Sequence, residues 1–186
     1  MSGTSKPGQR VTPAGAPGGM QLFDRDGSRK YLTVAERARF LRAAEQAPRE
    51  ARTLCMTLAW SGCRLSEALA LTADRVDLAG GVLVFATLKK RQDGIYRAVP
   101  VPPLLARGPG SGAWHPRGPA SARPWSGRPA ASPKGLRHAF GVAAVSSDIP
   151  LNMVQKWLGH AQLSTTAIYA DAVGAEEQDI ARKMWE

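Results

Sequence analysis

A mainly α-helical α+β domain with a small three-stranded antiparallel sheet is predicted by three observations on the 186-residue sequence. Helix-start signals followed by apolar stripes recur between Thr33 and Leu71. From Arg75 to Pro102 the chain instead reads as short strands separated by turn residues. Helical spacing returns from Lys134 to Trp185.

Residues 1–30 mix Gly, Pro, Ser, Thr and charge without periodic apolar positions, and such a segment cannot repay its ordering entropy. A disordered basic tail is expected there. Thr33-Val-Ala-Glu36 is a capping box, in which hydroxyl and carboxylate satisfy free amides at a helix start; about 13 helical residues should follow, with Phe40 and Leu41 inward. Pro48 suits the first turn of a second helix, Arg49 to Ser61, with Leu54, Leu58 and Trp60 as its stripe and Gly62 as its end. Arg64-Leu-Ser-Glu67 opens a short third helix through Leu71. Two strands about Gly80-Gly81 cover Arg75 to Phe85, Tyr96 to Pro102 forms a third, and Lys89 to Gly94 is the cationic hairpin loop between the second and third. Helices are then expected over Lys134 to Ser146, Leu151 to Leu158, Ser164 to Ala172 and Ala175 to Trp185.

The break falls at residues 106–131. These 26 residues hold 5 Gly, 5 Pro, 6 Ala and 4 Arg, with no Leu, Ile, Val, Met, Phe, Lys or acid, so they cannot build a core. Residues 31–186 therefore read as a single domain interrupted by a low-complexity loop. A real insertion, a deletion scar and a shifted reading frame all produce such a stretch.

Lys and Arg outnumber Asp and Glu by 25 to 15, a formal charge of +10, which favours a polyanionic partner, either nucleic acid or an anionic membrane surface. The charge is uneven: residues 106–138 carry +6 and residues 139–186 carry −3. No apolar run reaches the roughly 18–20 residues of a membrane span, and the first 20 residues lack the apolar centre of a signal peptide. Cys55 and Cys63 are too few and wrongly spaced for a zinc cage or disulfide framework, and read as small core residues of a reducing compartment. A soluble cytoplasmic protein is expected.

Three segments carry chemistry: Ser61-Gly-Cys-Arg64-Leu-Ser-Glu67-Ala-Leu, Lys134-Gly-Leu-Arg137-His138-Ala-Phe, and Leu158-Gly-His160 followed by Thr165-Thr166-Ala-Ile-Tyr169. In order, and with 23 positions from Arg137 to His160 and 9 from His160 to Tyr169, they resemble the motifs of tyrosine recombinases of the phage integrase family. Residues 31–105 and 132–186 carry the likeness. It implies a tyrosine recombinase catalytic-domain-like fold and a site-specific recombinase or integrase that breaks and rejoins double-stranded DNA. No metal or small-molecule cofactor is implied, and a homotetramer on paired sites is.

On that resemblance, Tyr169 attacks the scissile phosphate to give a 3′-phosphotyrosyl intermediate and a 5′-hydroxyl. Attack builds negative charge on the non-bridging oxygens, and two guanidinium forks, Arg64 and Arg137, can clamp it without a metal. His160 hydrogen-bonds the phosphate. A lysine on the hairpin after the second strand protonates the leaving oxygen: Lys89, with Lys90 close behind. Lys90 and Arg91 also contact DNA. Lys134 stands where the family usually has the histidine that helps deprotonate the nucleophile, and a lysine there serves either as a base of lowered pKa or as a cation on the phosphate.

Each residue alone has a plainer reading. Arg64 is a solvated helix-end charge, Tyr169 an amphipathic core tyrosine, His160 a helix cap, and Lys89-Lys90-Arg91 a solvated loop binding phosphate nonspecifically. The joint spacing reverses that for the catalytic set, whereas His138 reads as a structural histidine with no catalytic step. Two departures remain: the family's helical DNA-binding domain is not found before Tyr31, and residues 106–131 stand where the family has helices. A truncated relative gripping DNA without cutting it is therefore a second expectation. A helix-turn-helix regulator built on Ile149 to Gly159 is the third, and it leaves Arg64 and the hairpin lysines unexplained.

Overall fold

The computed structural model describes residues 21–77, 79–87, 94–105 and 132–170. Six α-helices are found among them: α1 (Val34–Glu45), α2 (Arg49–Ser61), α3 (Leu65–Leu69), α4 (Pro133–Ser146), α5 (Leu151–Leu158) and α6 (Ser164–Ala167). Three strands, β1 (Val76–Asp77), β2 (Val82–Ala86) and β3 (Tyr96–Pro100), form an antiparallel sheet in the order β1-β2-β3. The expected α+β class, helix-rich with one small sheet, is what the chain adopts.

The helix starts follow their signals. Both halves of the Thr33 capping box form, the Glu36 amide donating to the Thr33 hydroxyl at 3.2 Å and the Thr33 amide to the Glu36 carboxylate at 2.8 Å. Such a cap contributes on the order of 1 kcal/mol. Ser132 caps α4 by accepting from the Gly135 amide. Helices α2 and α5 both stop at a glycine in the left-handed region, Gly62 (φ 60°) and Gly159 (φ 66°), where a side chain would be strained.

Sheet register puts Leu83 opposite Val99, both fully buried, while Phe85 faces the buried Arg97. Alternate residues of β3 are exposed, so one sheet face packs on helices. The main core gathers Leu58, Ala59 and Cys63 around α2, Leu71, the sheet's Leu83, Phe85 and Val99, and Leu136 and Ala139 of α4. Fully burying one Leu or Phe contributes roughly 1.5–3 kcal/mol, so this cluster dominates cohesion. Helices α2 and α4 pack together, and α5 lies against β3. A second cluster joins Leu22, Ala144, Val154, Leu158 and Tyr169. Both cysteines are buried and free.

Three expectations need correction or placement. The tail assigned to residues 1–30 does not extend through its last ten: Phe23 and Arg29 form an antiparallel bridge, the Asp24 carboxylate accepts from the Ser28 amide at 2.7 Å, and Leu22 is buried beside Tyr169. A side-chain-closed turn and one apolar anchor suffice to order a segment with no periodicity. Helix α6 ends at Ala167 rather than Ala172, because the chain tightens so that the Tyr169 amide donates to Thr166 three residues back. Residues 1–20, the 106–131 stretch and the helix expected over Ala175 to Trp185 lie outside the described residues. Among the described residues no helix is long and apolar enough to cross a membrane.

Candidate functional site

The site begins at two helix ends. The last carbonyls of a helix have no intrahelical partner and carry the negative end of its dipole. Arg137, on α4, reaches both: its Nη1 donates to the Gly62 carbonyl at 2.7 Å, closing α2, and its Nη2 to the Leu158 carbonyl, closing α5. The guanidinium is buried, and burial followed by repulsion from Arg64 lowers its pKa to about 10, so it stays charged at neutral pH.

Arg64 follows directly from the left-handed turn at Gly62 and caps α3. Its amide and its Nη1 both donate to Glu67, each at 2.7 Å. The Glu67 side chain is wholly buried and also takes a fork from Arg97 of β3, Nη1 at 3.0 Å and Nη2 at 2.6 Å. Burial pushes the Glu67 carboxyl up, but the hydrogen bonds and charge of Arg97 together with the bonds from Arg64 outweigh it, and the pKa falls below the ordinary value. A bidentate, desolvated pair of this kind holds its geometry. Arg97 in turn donates from Nε to the Trp157 carbonyl at 2.8 Å and lies over the Phe85 ring, 5.1 Å from its centroid. Sheet, α3 and α5 are thereby locked around Arg64.

The Gly159 turn after α5 delivers His160. Its amide donates to the Gln155 carbonyl, and its Nδ1 lies 2.9 Å from the Thr166 hydroxyl, while Nε2 is buried with no partner among the described residues. Burial first, then the charges of Arg137 and Arg64, lower its pKa to about 3, so the ring is neutral. It stacks on Tyr169, the planes 14° apart and the centroids 6.2 Å apart.

Tyr169 is completely buried. A Cβ on Gly141 would stand 2.6 Å from two of its ring carbons, so the close approach of α4 to the phenol requires glycine. Its hydroxyl lies 3.3 Å from Nδ1 of His138. Burial raises the phenol pKa to about 12, with the charge of Arg137 pulling the other way.

Arg64, Arg137, His160 and Tyr169, drawn from three separate motifs, therefore share one site. Lys134 is exposed on the first turn of α4, and its charge is felt by His138 rather than meeting the phenol. Lys89, Lys90 and Arg91 lie outside the described residues; the base of their hairpin is closed by the Thr87 amide donating to the Ile95 carbonyl at 2.8 Å. Sequence reasoning missed His138 as a partner of Tyr169, and Arg97 and Glu67 as the brace. One signal was available: Lys134, Arg137, His138 and Gly141 fall at i, i+3, i+4 and i+7, one face of a helix. Among the described residues no group of three or more His, Cys, Asp or Glu is placed to hold a metal ion.

Residues 121–175 match the family model described as the phage integrase family. No curated protein matches the chain. Solved structures similar in fold include a XerA recombinase, at TM-score 0.63 and 20% identity over 84% of this chain and 65% of that one. A second is the XerH site-specific recombinase bound to palindromic difH substrate in a post-cleavage complex, at TM-score 0.60 and 21% identity over 84% and 54%. The catalytic domain of bacteriophage HP1 integrase gives TM-score 0.60 and 19% identity over 82% and 93%. The fold is that of tyrosine recombinase catalytic domains, and the resemblance read from the motifs is matched by the family model over 121–175. The chain spans just under two thirds of the XerA recombinase and about half of the XerH recombinase, but nearly all of the HP1 catalytic domain.

Proposed function

We propose that this chain is the catalytic part of a site-specific DNA recombinase or integrase that cleaves and rejoins double-stranded DNA through Tyr169. The observation that carries the reading is the gathering of Arg64, Arg137, His160 and Tyr169 within one site although they lie up to 105 positions apart in the chain (169 − 64). In the proposed reaction the Tyr169 Oη attacks phosphorus, the P–O5′ bond breaks, and a 3′-phosphotyrosyl ester and a 5′-hydroxyl result. Arg64 and Arg137 stabilise charge on the non-bridging oxygens, His160 donates to one of them through its unpartnered Nε2, and Lys134 adds a cation nearby. Lys89, or Lys90 beside it, protonates the leaving oxygen, and Lys90 and Arg91 contact the backbone. Residues 31–186 act as one catalytic unit interrupted at 106–131, needing no metal or cofactor, in the cytoplasm and as a homotetramer on paired sites. The Tn1549 transposon integrase, similar in fold and solved in complex with a circular intermediate DNA, supports DNA as the partner.

A second reading, a module that binds DNA without cutting it, is favoured by two observations: Tyr169 is completely buried, and both terminal nitrogens of Arg137 are engaged by carbonyls. Covalent trapping separates the two. A duplex library nicked at a fixed position and randomised around it is incubated with wild-type protein and with Tyr169→Phe, then run on a denaturing gel. The enzyme reading expects a protein–DNA adduct that disappears in Tyr169→Phe. Equal, salt-sensitive retention of DNA by both proteins with no adduct would establish the binding module instead.

A further inference from the structure

We propose that His138 is the catalytic base that takes the proton from Tyr169, a role displaced one helical turn along α4 from the lysine that occupies the family's usual position for it. The inference rests on the strand-cleavage reading and adds to it the fate of the nucleophile's proton. Its basis is geometric. Nδ1 of His138 lies 3.3 Å from the Tyr169 hydroxyl, within range of a catalytic hydrogen bond that tightens on binding. The two rings lie 5.9 Å apart, in a site closed by Gly141 and by the stacked His160. Lys134, by contrast, is exposed at the helix start.

The surroundings fit a base better than a structural histidine. The Nε2 of His138 is buried with no partner among the described residues. Such an orphan costs about 1–3 kcal/mol, which a purely structural position would shed by substitution. With the proton on Nε2, Nδ1 presents its lone pair to the phenol. The charges facing the ring are Lys134 and Arg137 of its own helix and Lys30 of the N-terminal loop, with neutral Tyr169 and His160 completing the site. Burial, then these cations, hold the pKa of His138 down to about 4, whereas that of Tyr169 is raised to about 12. The proton therefore stays on the phenol at rest, and its transfer accompanies attack.

In the full step the Oη–P bond forms as P–O5′ breaks. The phenolic proton passes to Nδ1, and the leaving 5′ oxygen takes a proton from the hairpin lysine. Rejoining runs the same transfers backwards: His138 returns its proton to the departing phenolate. The phosphate's negative charge, arriving beside His138, stabilises the imidazolium formed.

The test measures single-turnover adduct formation on the same randomised nicked-duplex library, using the 186-residue protein, for wild type and His138→Asn, each with tyrosine or a more acidic fluorotyrosine at position 169. Asn fills a similar space and hydrogen-bonds, but cannot carry the proton. The expected result is a fall of about 10²–10⁴-fold in rate for His138→Asn, at unchanged DNA retention, with much of the loss recovered by fluorotyrosine. A structural role would give no such recovery. Adduct formation by His138→Asn at the wild-type rate, or a loss that fluorotyrosine leaves untouched, overturns the assignment while the recombinase reading stands. No adduct with the wild-type protein overturns both. Should His138→Asn fail to fold, fluorotyrosine in the wild-type background decides. The midpoint of the acid limb of the rate profile stays fixed if it belongs to His138, and moves with the phenol if no base assists.

Discussion

Acidification from pH 7 to pH 5 is expected to remove about 4 kcal/mol of folding stability, nearly all of it through two histidines. His138 and His160 are 1% and 8% exposed, and burial heads the causes that lower their pKa values to about 4 and about 3 from an ordinary value of 6.5. In the unfolded chain both rings bind a proton below about pH 6.5, while the folded chain refuses it until the pH approaches the lowered values. The unfolded state thus binds more protons throughout that window, and stability falls as pH falls through it. At pH 5 each ring contributes a loss of about 1.5 pH units at 1.36 kcal/mol per unit, about 2 kcal/mol. Against a typical total of about 5–15 kcal/mol that is a large share. Glu67, whose pKa is lowered, contributes its own acid loss only below the unfolded carboxylate range, which leaves pH 5–7 to the histidines. Urea denaturation followed by tryptophan fluorescence at intervals across this range measures the slope. The His138→Asn/His160→Asn double variant should show a nearly flat profile. A double variant losing stability as steeply as wild type would refute the reasoning.

Two further perturbations bear on the brace and the phenol's seat. Glu67→Gln leaves two guanidinium groups without their buried counter-charge and should cost about 3–5 kcal/mol in urea denaturation, whereas replacing Glu67 and Arg97 together by Met should recover most of it; a single variant within 1 kcal/mol of wild type would count against a buried ion pair. Gly141→Ala forces a Cβ into the Tyr169 ring and should cost about 1–3 kcal/mol, a penalty that shrinks in a Tyr169→Ala background; an equal penalty in both backgrounds would place the clash elsewhere.

How much of this was legible beforehand depends on how local each feature is. The capping box at Thr33, the stop at Gly62 and the Gly80-Gly81 turn are decided within four residues, and the strands and helices they bound fell where expected. Leu22 shows the opposite case: nothing near it is periodic, and it is buried in a cluster with Ala144, Val154, Leu158 and Tyr169, more than 120 positions on. The Arg137, His160 and Tyr169 set was readable because spacing survives in sequence. The Arg97–Glu67 fork was not, since Arg97 looks like any solvated strand charge until β3 is set beside α3. His138 reads from its sequence neighbourhood as a structural histidine, since nothing local shows the Tyr169 hydroxyl 31 positions on beside its ring.

Arg137 and Arg97 have one more property in common. Each spans the two portions of chain on either side of residues 106–131: Arg137 joins α4 to the end of α2, and Arg97 joins β3 to the carbonyl of Trp157 in α5. With the core cluster that mixes Leu58, Leu83 and Leu136, these ties hold the two portions together non-covalently. Being one chain raises the effective concentration of each portion near the other. Severed between residues 105 and 132, the two portions would part no faster than two buried guanidinium groups and a shared core let go, so the described fold behaves, across this cut, like a heterodimer written as one polypeptide.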